Sequence, residues 1–232
     1  MKSINFTTAL FVILGIGLGI LNSSCKVFQN SEKIAKDKIA GEEDVKSLYD
    51  ALENGGEIVL KKMIYYLETP IKIFNKNNLT LDGSGSTFIM KNKSEDVIFI
   101  ENSTDITLKN FKATHVEPEG PIGCTGSVIQ VYGNENIIIE NCELNGSGII
   151  GIVSYNTKNL KIIKNHIYNN SKYGILYQGD TTIEIVNNKF EDNGDNGNDH
   201  VVKALDAGLS KVEKIEMGTN EKGLKMSNNT FK

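Results

Sequence analysis

A short alternating pattern recurs along this chain at a spacing of 23 residues. Copies begin at Ile137, Leu160 and Ile183, and in each copy the residue two positions later is also apolar. Alternation of apolar and polar residues predicts a short β-strand with one buried face. Because a lone strand cannot bury that face, a repeat of about two dozen residues predicts the stacked coils of a solenoid.

The pattern extends to six copies with unequal spacing. Their starts are Leu79, Ile106, Ile137, Leu160, Ile183 and Leu224, at intervals of 27, 31, 23, 23 and 41 residues. A second apolar column lies eight residues before five of these starts, at Ile71, Ile98, Ile129, Ile152 and Ile175. The longer intervals predict surface loops, and the two longest contain "THVEPEGPIGCTG" and "EDNGDNGNDHVVKALDAGLSKVEK".

Two further columns follow each strand. Five residues after the starts lie Ser84, Phe111, Cys142, Asn165, Asn188 and Asn229, and seven residues after them lie Ser86, Ala113, Leu144, Ile167, Phe190 and Phe231. Asn165 and Asn188 would occupy one corner of adjacent coils. Their amides could bond to each other and to the backbone there, which predicts a structural ladder rather than a ligand site.

Composition excludes one large class of function. The chain has 232 residues and 39% hydrophobic content, enough for one globular core. All 25 basic residues are lysines, they are scattered, and they are outnumbered by 29 acidic residues. A surface that binds phosphates needs clustered basic residues, usually with arginine. We therefore expect no nucleic-acid partner.

The first 25 residues resemble a bacterial lipoprotein signal. Lys2 precedes an apolar run over residues 9–21, and small polar residues lead to the cysteine of "LNSSC". The resemblance implies that Cys25 carries lipid, although Leu21 lies four residues before it, where the usual motif has an aliphatic residue three before. A cleaved secretory signal is the alternative, and the run is short for a membrane span. The expected location is the bacterial cell envelope, at the outer membrane or periplasmic face.

Residues 26–41 are polar and predict a tether, and residues 42–232 predict the folded domain. If Cys25 is lipidated, Cys124 and Cys142 remain. They could form a disulfide, but the apolar repeat position of Cys142 favours two small buried side chains. No oligomeric state is predicted.

The repeats, together with the opening "EEDVKSLYDALENGGEIVLKKMIYYLETPIKIFNKNNLTLDGSGS", resemble the right-handed parallel β-helix of the pectate-lyase-like superfamily. The resemblance covers about residues 42–232. It implies an all-β, single-stranded solenoid of about six coils with an N-terminal capping helix. Val45, Leu48 and Leu52 fall on one helical face, which would cover the open end of the coil stack.

Function is less constrained than fold. Enzymes of this superfamily typically use Lys or Arg bases with acidic calcium ligands, or clustered aspartates. This sequence has no arginine and no aspartate pair on neighbouring coils, so no catalytic residue is assigned. A lipid-anchored, non-catalytic polysaccharide-binding module is the favoured function. A minimal polysaccharide lyase or glycoside hydrolase is the alternative, and a structural surface protein is the third.

A low-specificity metal pattern lies in the first long loop. His115, Glu117 and Glu119 alternate in sequence, so their side chains could converge on a divalent cation such as calcium. Pro118 and Pro121 make this segment irregular, and a solvated loop is the favoured alternative. The segment "DNGDNGND" has the composition of a calcium loop but lacks the closing glutamate. No cofactor is therefore required.

The candidate ligand site is a column on the outer face of the coils. The alternation that directs the second isoleucine column inward directs Glu101, Tyr132, Tyr155 and Gln178 outward. Tyr132 and Tyr155 should lie on adjacent coils, with aromatic surface for a sugar ring and polar neighbours for its hydroxyls. The alternative is that the two tyrosines stack on each other for stability.

Overall fold

The structure is a computed structural model that describes residues 38–116, 125–145, 149–193, 202–206, 209–210 and 223–231. Within these residues the chain forms one helix, α1 (Glu42–Asn54), followed by strands β1 to β19. The strands are β1 (Glu57–Val59), β2 (Ile64–Leu67), β3 (Ile71–Phe74), β4 (Asn77–Met90), β5 (Ile98–Glu101), β6 (Thr104–His115), β7 (Ile129–Tyr132), β8 (Glu135–Glu140), β9 (Glu143–Asn145), β10 (Ile150–Tyr155), β11 (Lys158–Ile163), β12 (His166–Tyr168), β13 (Tyr173–Gln178), β14 (Ile183–Val186), β15 (Lys189–Glu191), β16 (Val202–Asp206), β17 (Leu209–Ser210), β18 (Leu224–Ser227) and β19 (Thr230–Phe231).

These strands form a parallel β-solenoid of about five turns with three faces. Sheet 1 contains β3, β5, β7, β10, β13 and β16 in parallel order, and β17 pairs antiparallel with β16. The long strands β4 and β6 each contribute to two sheets. Sheet 2 contains the first part of β4 and of β6, followed by β8, β11, β14 and β18. Sheet 3 contains the second part of β4 and of β6, followed by β9, β12, β15 and β19. Each coil thus places one strand on each face, as the repeat predicts.

The two inward isoleucine and leucine columns are confirmed. The six predicted strand starts lie in unbroken register across sheet 2, from Leu79 to Leu224. The second column lies in register across sheet 1, from Ile71 to Ile175. Every member of both columns is at most 3% exposed. The solenoid interior is therefore one continuous apolar core, which is the main source of its stability.

The gapless alignment is wrong at the first coil. Ser86, and not Ser84, lies beside Phe111, and Phe88 lies beside Ala113, because the register shifts between Asp82 and Ser86. Two additional residues fit in this corner, where Ser84 and Gly85 adopt left-handed backbone conformations. The "GSGS" segment thus forms an irregular corner that later coils lack.

Helix α1 closes the N-terminal end of the stack, as predicted. The acidic side chains of its first turn interact favourably with the positive N-terminal end of the helix dipole. At the other end, Gly55 terminates the helix with a positive φ. Leu48 is 1% exposed and Leu52 is 3% exposed, and Val45 packs partly against the same core. The chain before the helix also contributes, because residues 38–40 exchange backbone hydrogen bonds with Ile64 of β2.

The predicted asparagine ladder is confirmed at the corner between sheets 2 and 3. Asn165 donates through its side-chain amide to the side-chain oxygen of Asn188 at 3.1 Å and to the carbonyl oxygen of Ile139 at 2.9 Å. Asn188 makes the matching contacts to Asn229 and to the carbonyl oxygen of Ile162. All three asparagines are buried. Because their polar atoms are bonded inside the protein, they stabilise the corner and are not available to a ligand.

Candidate functional site

The predicted outward column lies on sheet 1. Register places Glu101 beside Tyr132, Tyr132 beside Tyr155, and Tyr155 beside Gln178. Phe74, which is 50% exposed, precedes Glu101 in the same column. The placement of the two tyrosines on adjacent coils of one outer face is therefore confirmed.

The two tyrosine rings stack on each other. The centroids of Tyr132 and Tyr155 are 5.2 Å apart and the ring planes differ by 13°. This arrangement follows from the distance of about 4.8 Å between neighbouring strands, which matches ring stacking. Each ring therefore has one face covered by the other. Tyr132 remains 40% exposed. The pair forms an aromatic ridge, and its rings stack on each other as the alternative interpretation of these two tyrosines expects.

A second outward column of sheet 1 gives this face an apolar floor. The column begins at Lys72 on the first coil, which is exposed. The residues in register with it on the next four coils are only partly exposed: Phe99, Gln130, Val153 and Leu176. Three of these four are apolar. An apolar strip beside a ridge of stacked tyrosines is suited to the carbon-bound hydrogens of a ligand rather than to a highly charged one.

A shallow groove runs along the corner between sheets 1 and 2, directly after the tyrosines. It has a volume of about 360 Å³ and is lined by Asn102, Thr104, Gly133, Asn134, Glu135, Asn156 and Lys158. Gly133 and Asn156 are the residues that follow Tyr132 and Tyr155 in sequence. Sequence reasoning missed this groove. The feature of the sequence that could have indicated the groove is a column of Asn and Gly residues, one per coil, whose backbone is left-handed in the structure: Asn75, Asn102, Gly133, Asn156 and Gly179.

Several polar side chains at this edge of sheet 1 bond to no other described residue. Within the part of the chain that the structure describes, the side chains of Glu101, Asn102, Glu135, Lys158 and Gln178 make no hydrogen bond or ion pair with the protein. Asn134 differs, since it bonds to the backbone of Ser103 and Ile100. Those five side chains therefore keep their hydrogen-bonding groups available to a ligand.

Sheet 3 has the opposite arrangement on its outer face. His166 stacks on Tyr168 with ring centroids 4.1 Å apart, and its Nε2 lies 2.9 Å from Oε2 of Glu191. Lys189 donates to the same carboxylate oxygen, and this bond lowers the pKa of Glu191. Partial burial lowers the pKa of His166. These polar groups are already bonded to one another, so this face offers a ligand less than the groove does.

His115 lies inside the solenoid at 2% exposure, with Nε2 at 2.7 Å from the carbonyl oxygen of Glu95. Burial lowers the pKa of His115, so the ring is neutral near pH 7. Glu117 and Glu119 lie outside the described residues. No group of three potential His, Cys, Asp or Glu ligands occurs among the residues that are described. The metal site at these three positions stays a prediction.

Cys142 is a free, buried cysteine whose sulfur contacts the carbonyl oxygen of Glu140 at 3.1 Å. Burial raises the pKa of Cys142 to about 12, so the thiol is inert at neutral pH. This confirms the preferred interpretation for Cys142, whereas Cys124 lies outside the described residues.

Residues 1–37, which contain Cys25 and most of the predicted tether, also lie outside the described residues. Among the helical segments that the structure does describe, none has the length and apolar content needed to cross a bilayer.

Comparison with known proteins identifies the fold family. The family model described as "Right handed beta helix region" matches residues 64–232, from β2 to the last residue of the chain. Neither the curated proteins nor the solved structures contain a match to the chain. The matched region includes the tyrosine ridge, the groove and nearly all of the described coils. This chain therefore belongs to the right-handed β-helix family.

Proposed function

We propose that this protein is a non-catalytic polysaccharide-binding module held at the bacterial cell envelope by lipid on Cys25. The ligand lies along the solenoid axis on the outer face of sheet 1. The observation that carries this proposal is the stacked pair Tyr132–Tyr155 beside a groove in which the side chains of Asn102, Glu135 and Lys158 make no bond to the described residues.

The chemistry of this face suits an extended sugar chain. A sugar ring presents both apolar carbon-bound hydrogens and hydroxyls, and the face offers an apolar floor, two phenol edges and several amides and carboxylates. The repeat adds reach, because successive coils place similar groups about 4.8 Å apart along the axis. A shallow groove of this kind binds each sugar weakly and gains affinity from contacts with several sugars in a row.

The anchor is supported by the N-terminal sequence, in which the apolar run ends at "LNSSC". Replacing Cys25 with Ala should move the protein from the membrane fraction to the soluble envelope fraction, because one lipidated residue would supply the whole attachment. Membrane association that persists in this variant would contradict the anchor.

The binding site is tested with the full-length protein purified in detergent. A glycan array identifies ligands, and titration calorimetry then compares the wild type with the Tyr132→Ser, Tyr155→Ser double variant. We expect the double variant to lose binding by at least about tenfold, since two aromatic contacts are removed.

Tyr168→Ser is the matched control, because Tyr168 is a partly exposed tyrosine that stacks on a neighbour on sheet 3 instead of sheet 1. This variant should keep its affinity. Equal affinity in the double variant and the wild type, or equal loss in the control, would contradict the proposed site. Release of unsaturated ends from a bound uronate polymer would instead support the lyase alternative.

A further inference from the structure

The charges that surround the tyrosine ridge point to the class of glycan. We infer that the ligand of this face is an uncharged polysaccharide and not a polyuronate, an inference that rests on the proposed function. The argument concerns the four coils that contain Glu101, Tyr132, Tyr155 and Gln178.

Carboxylates predominate on these coils. Glu101 lies in the tyrosine column itself, and Glu135 lines the groove. Asp105 lies next to the groove residue Thr104 and accepts a hydrogen bond from Asn136, and the backbone amide of Asp180 donates to the groove residue Asn156. Three of the four coils therefore contribute a carboxylate beside the ridge or the groove, and the coil of Tyr155 contributes Lys158 instead.

Few cations oppose these carboxylates. Lys158 lines the groove, and its side chain makes no ion pair with the described residues. Lys76, on the first coil, is held by the carboxylate of Glu53 at 3.1 Å. Lys72 lies two coils below Tyr132, at the start of the second outward column. The chain contains no arginine, the residue that best holds a carboxylate through two parallel hydrogen bonds.

The ligand must therefore present donors and not further negative charge. Sugar hydroxyls donate to carboxylates and to amide oxygens, and hydrogen bonds to a charged acceptor are the stronger kind. A polyuronate would place carboxylates close to Glu101 and Glu135, and Lys158 is the one lysine in the lining of the groove that would offset them. Each such like-charge contact weakens binding by about fivefold at about 4 Å in water.

The experiment compares neutral and carboxylated forms of one backbone. For each glycan that binds on the array, the neutral polymer and its C6-oxidised form are titrated into the full-length protein at low salt, with and without calcium. We expect the neutral form to bind at least about fivefold more tightly. The Glu101→Gln, Glu135→Gln double variant should reduce this preference by about the same factor, because two carboxylates are removed and the shape is kept.

Glu184→Gln is the matched control, because Glu184 lies on sheet 2 and pairs in register with Lys161 and Lys225, away from the groove. It should leave the preference unchanged. Tighter binding of the carboxylated form, in the absence or presence of calcium, would overturn the inference while supporting the proposed function. A protein that binds no glycan on the array would overturn both.

Discussion

Sheets 1 and 3 share one solenoid and similar residue types, but their outer faces use polar side chains differently. On sheet 3, His166, Lys189 and Glu191 bond to one another, and Lys112 approaches Glu143 to 4.0 Å. At the edge of sheet 1, by contrast, polar side chains such as Glu101 remain without a partner among the described residues.

This difference is informative because the backbone is nearly the same on both faces. Apart from the short β17, strands on each face are parallel and in register with those of the neighbouring coils, so backbone geometry alone does not distinguish the faces. The side chains do. A face whose charges neutralise each other contributes a little stability, whereas a face with unbonded polar groups around an aromatic ridge is suited to binding.

The comparison of the two outer faces requires that both pack on the same apolar core. A substitution in that core should have the largest effect on the free energy of unfolding. Ile162 is 0% exposed and lies in register between Ile139 and Ile185. Ile162→Asp places an unpaired charge there and should lower the free energy of unfolding by on the order of 3 to 5 kcal/mol. Urea denaturation measures this loss.

The neighbouring Lys161 is exposed and serves as the control. Lys161→Asp should change the free energy of unfolding by less than about 1 kcal/mol, as for most surface positions. Similar losses in both variants would show that the inward register is wrong, and the comparison of outer faces would fail with it.

A smaller effect comes from a titratable group in the same interior and appears as a dependence of stability on pH. The sheet 3 part of β6 ends in the buried His115, whose folded-state pKa lies below its usual 6.5. Between the lowered pKa and pH 6.5 the unfolded chain therefore binds more protons than the folded protein. The contribution of the neutral His115 ring to the free energy of unfolding is complete above pH 6.5 and is lost as the pH drops through the lowered pKa. Each unit of lowering corresponds to about 1.4 kcal/mol.

We expect His115→Gln to flatten the decline in stability below pH 6.5, because glutamine keeps a donor for the carbonyl oxygen of Glu95 and does not titrate. His166→Gln is the control, since partial burial also lowers the pKa of His166 but leaves the ring at the surface. The His166→Gln variant should retain most of the decline in stability at low pH. Identical pH profiles for wild type and His115→Gln would contradict this account.

The smallest expected change in stability comes from a substitution on the outer face of sheet 3, and it tests the difference between the outer faces directly. Glu191→Gln removes the partner of His166 and Lys189 and should cost less than about 1 kcal/mol, because the carboxylate is 33% exposed and surface ion pairs are weak. It should also lower the pKa of His166 further, since the bond to Glu191 raises that pKa. An NMR titration measures the shift.

Glu101→Gln is the corresponding change on sheet 1. It should leave the free energy of unfolding unchanged, because the side chain of Glu101 makes no hydrogen bond or ion pair with the described residues. A larger loss of stability from Glu101→Gln than from Glu191→Gln would reverse the proposed difference between the faces.

Much of this architecture was predictable from the sequence. The inward columns and the Asn165–Asn188 ladder follow from positions that recur along the chain, and the capping helix follows from the resemblance of the opening segment and its one apolar face. The structure confirms each of them. The prediction failed at Ser84, because the additional residues of the "GSGS" corner interrupt the period that the alignment assumed.

The outer faces were harder to predict. The register places His166 beside Lys189, yet its hydrogen bond goes diagonally to Glu191. Likewise, two outward tyrosines on adjacent coils were expected, but the sequence left open whether their rings face a ligand or stack on each other, and the structure shows them stacked. The groove that follows them was missed, since its lining comes from corner residues of several coils.

The sequence by itself determined which residues point inward and which coils are neighbours, because burial of one strand face imposes a period that can be read along a single chain. Only the tertiary structure decided how the tyrosine rings stack, which surface charges neutralise each other and where a groove opens. Those properties depend on side-chain conformations and diagonal contacts between coils, and a repeat period does not specify either of them.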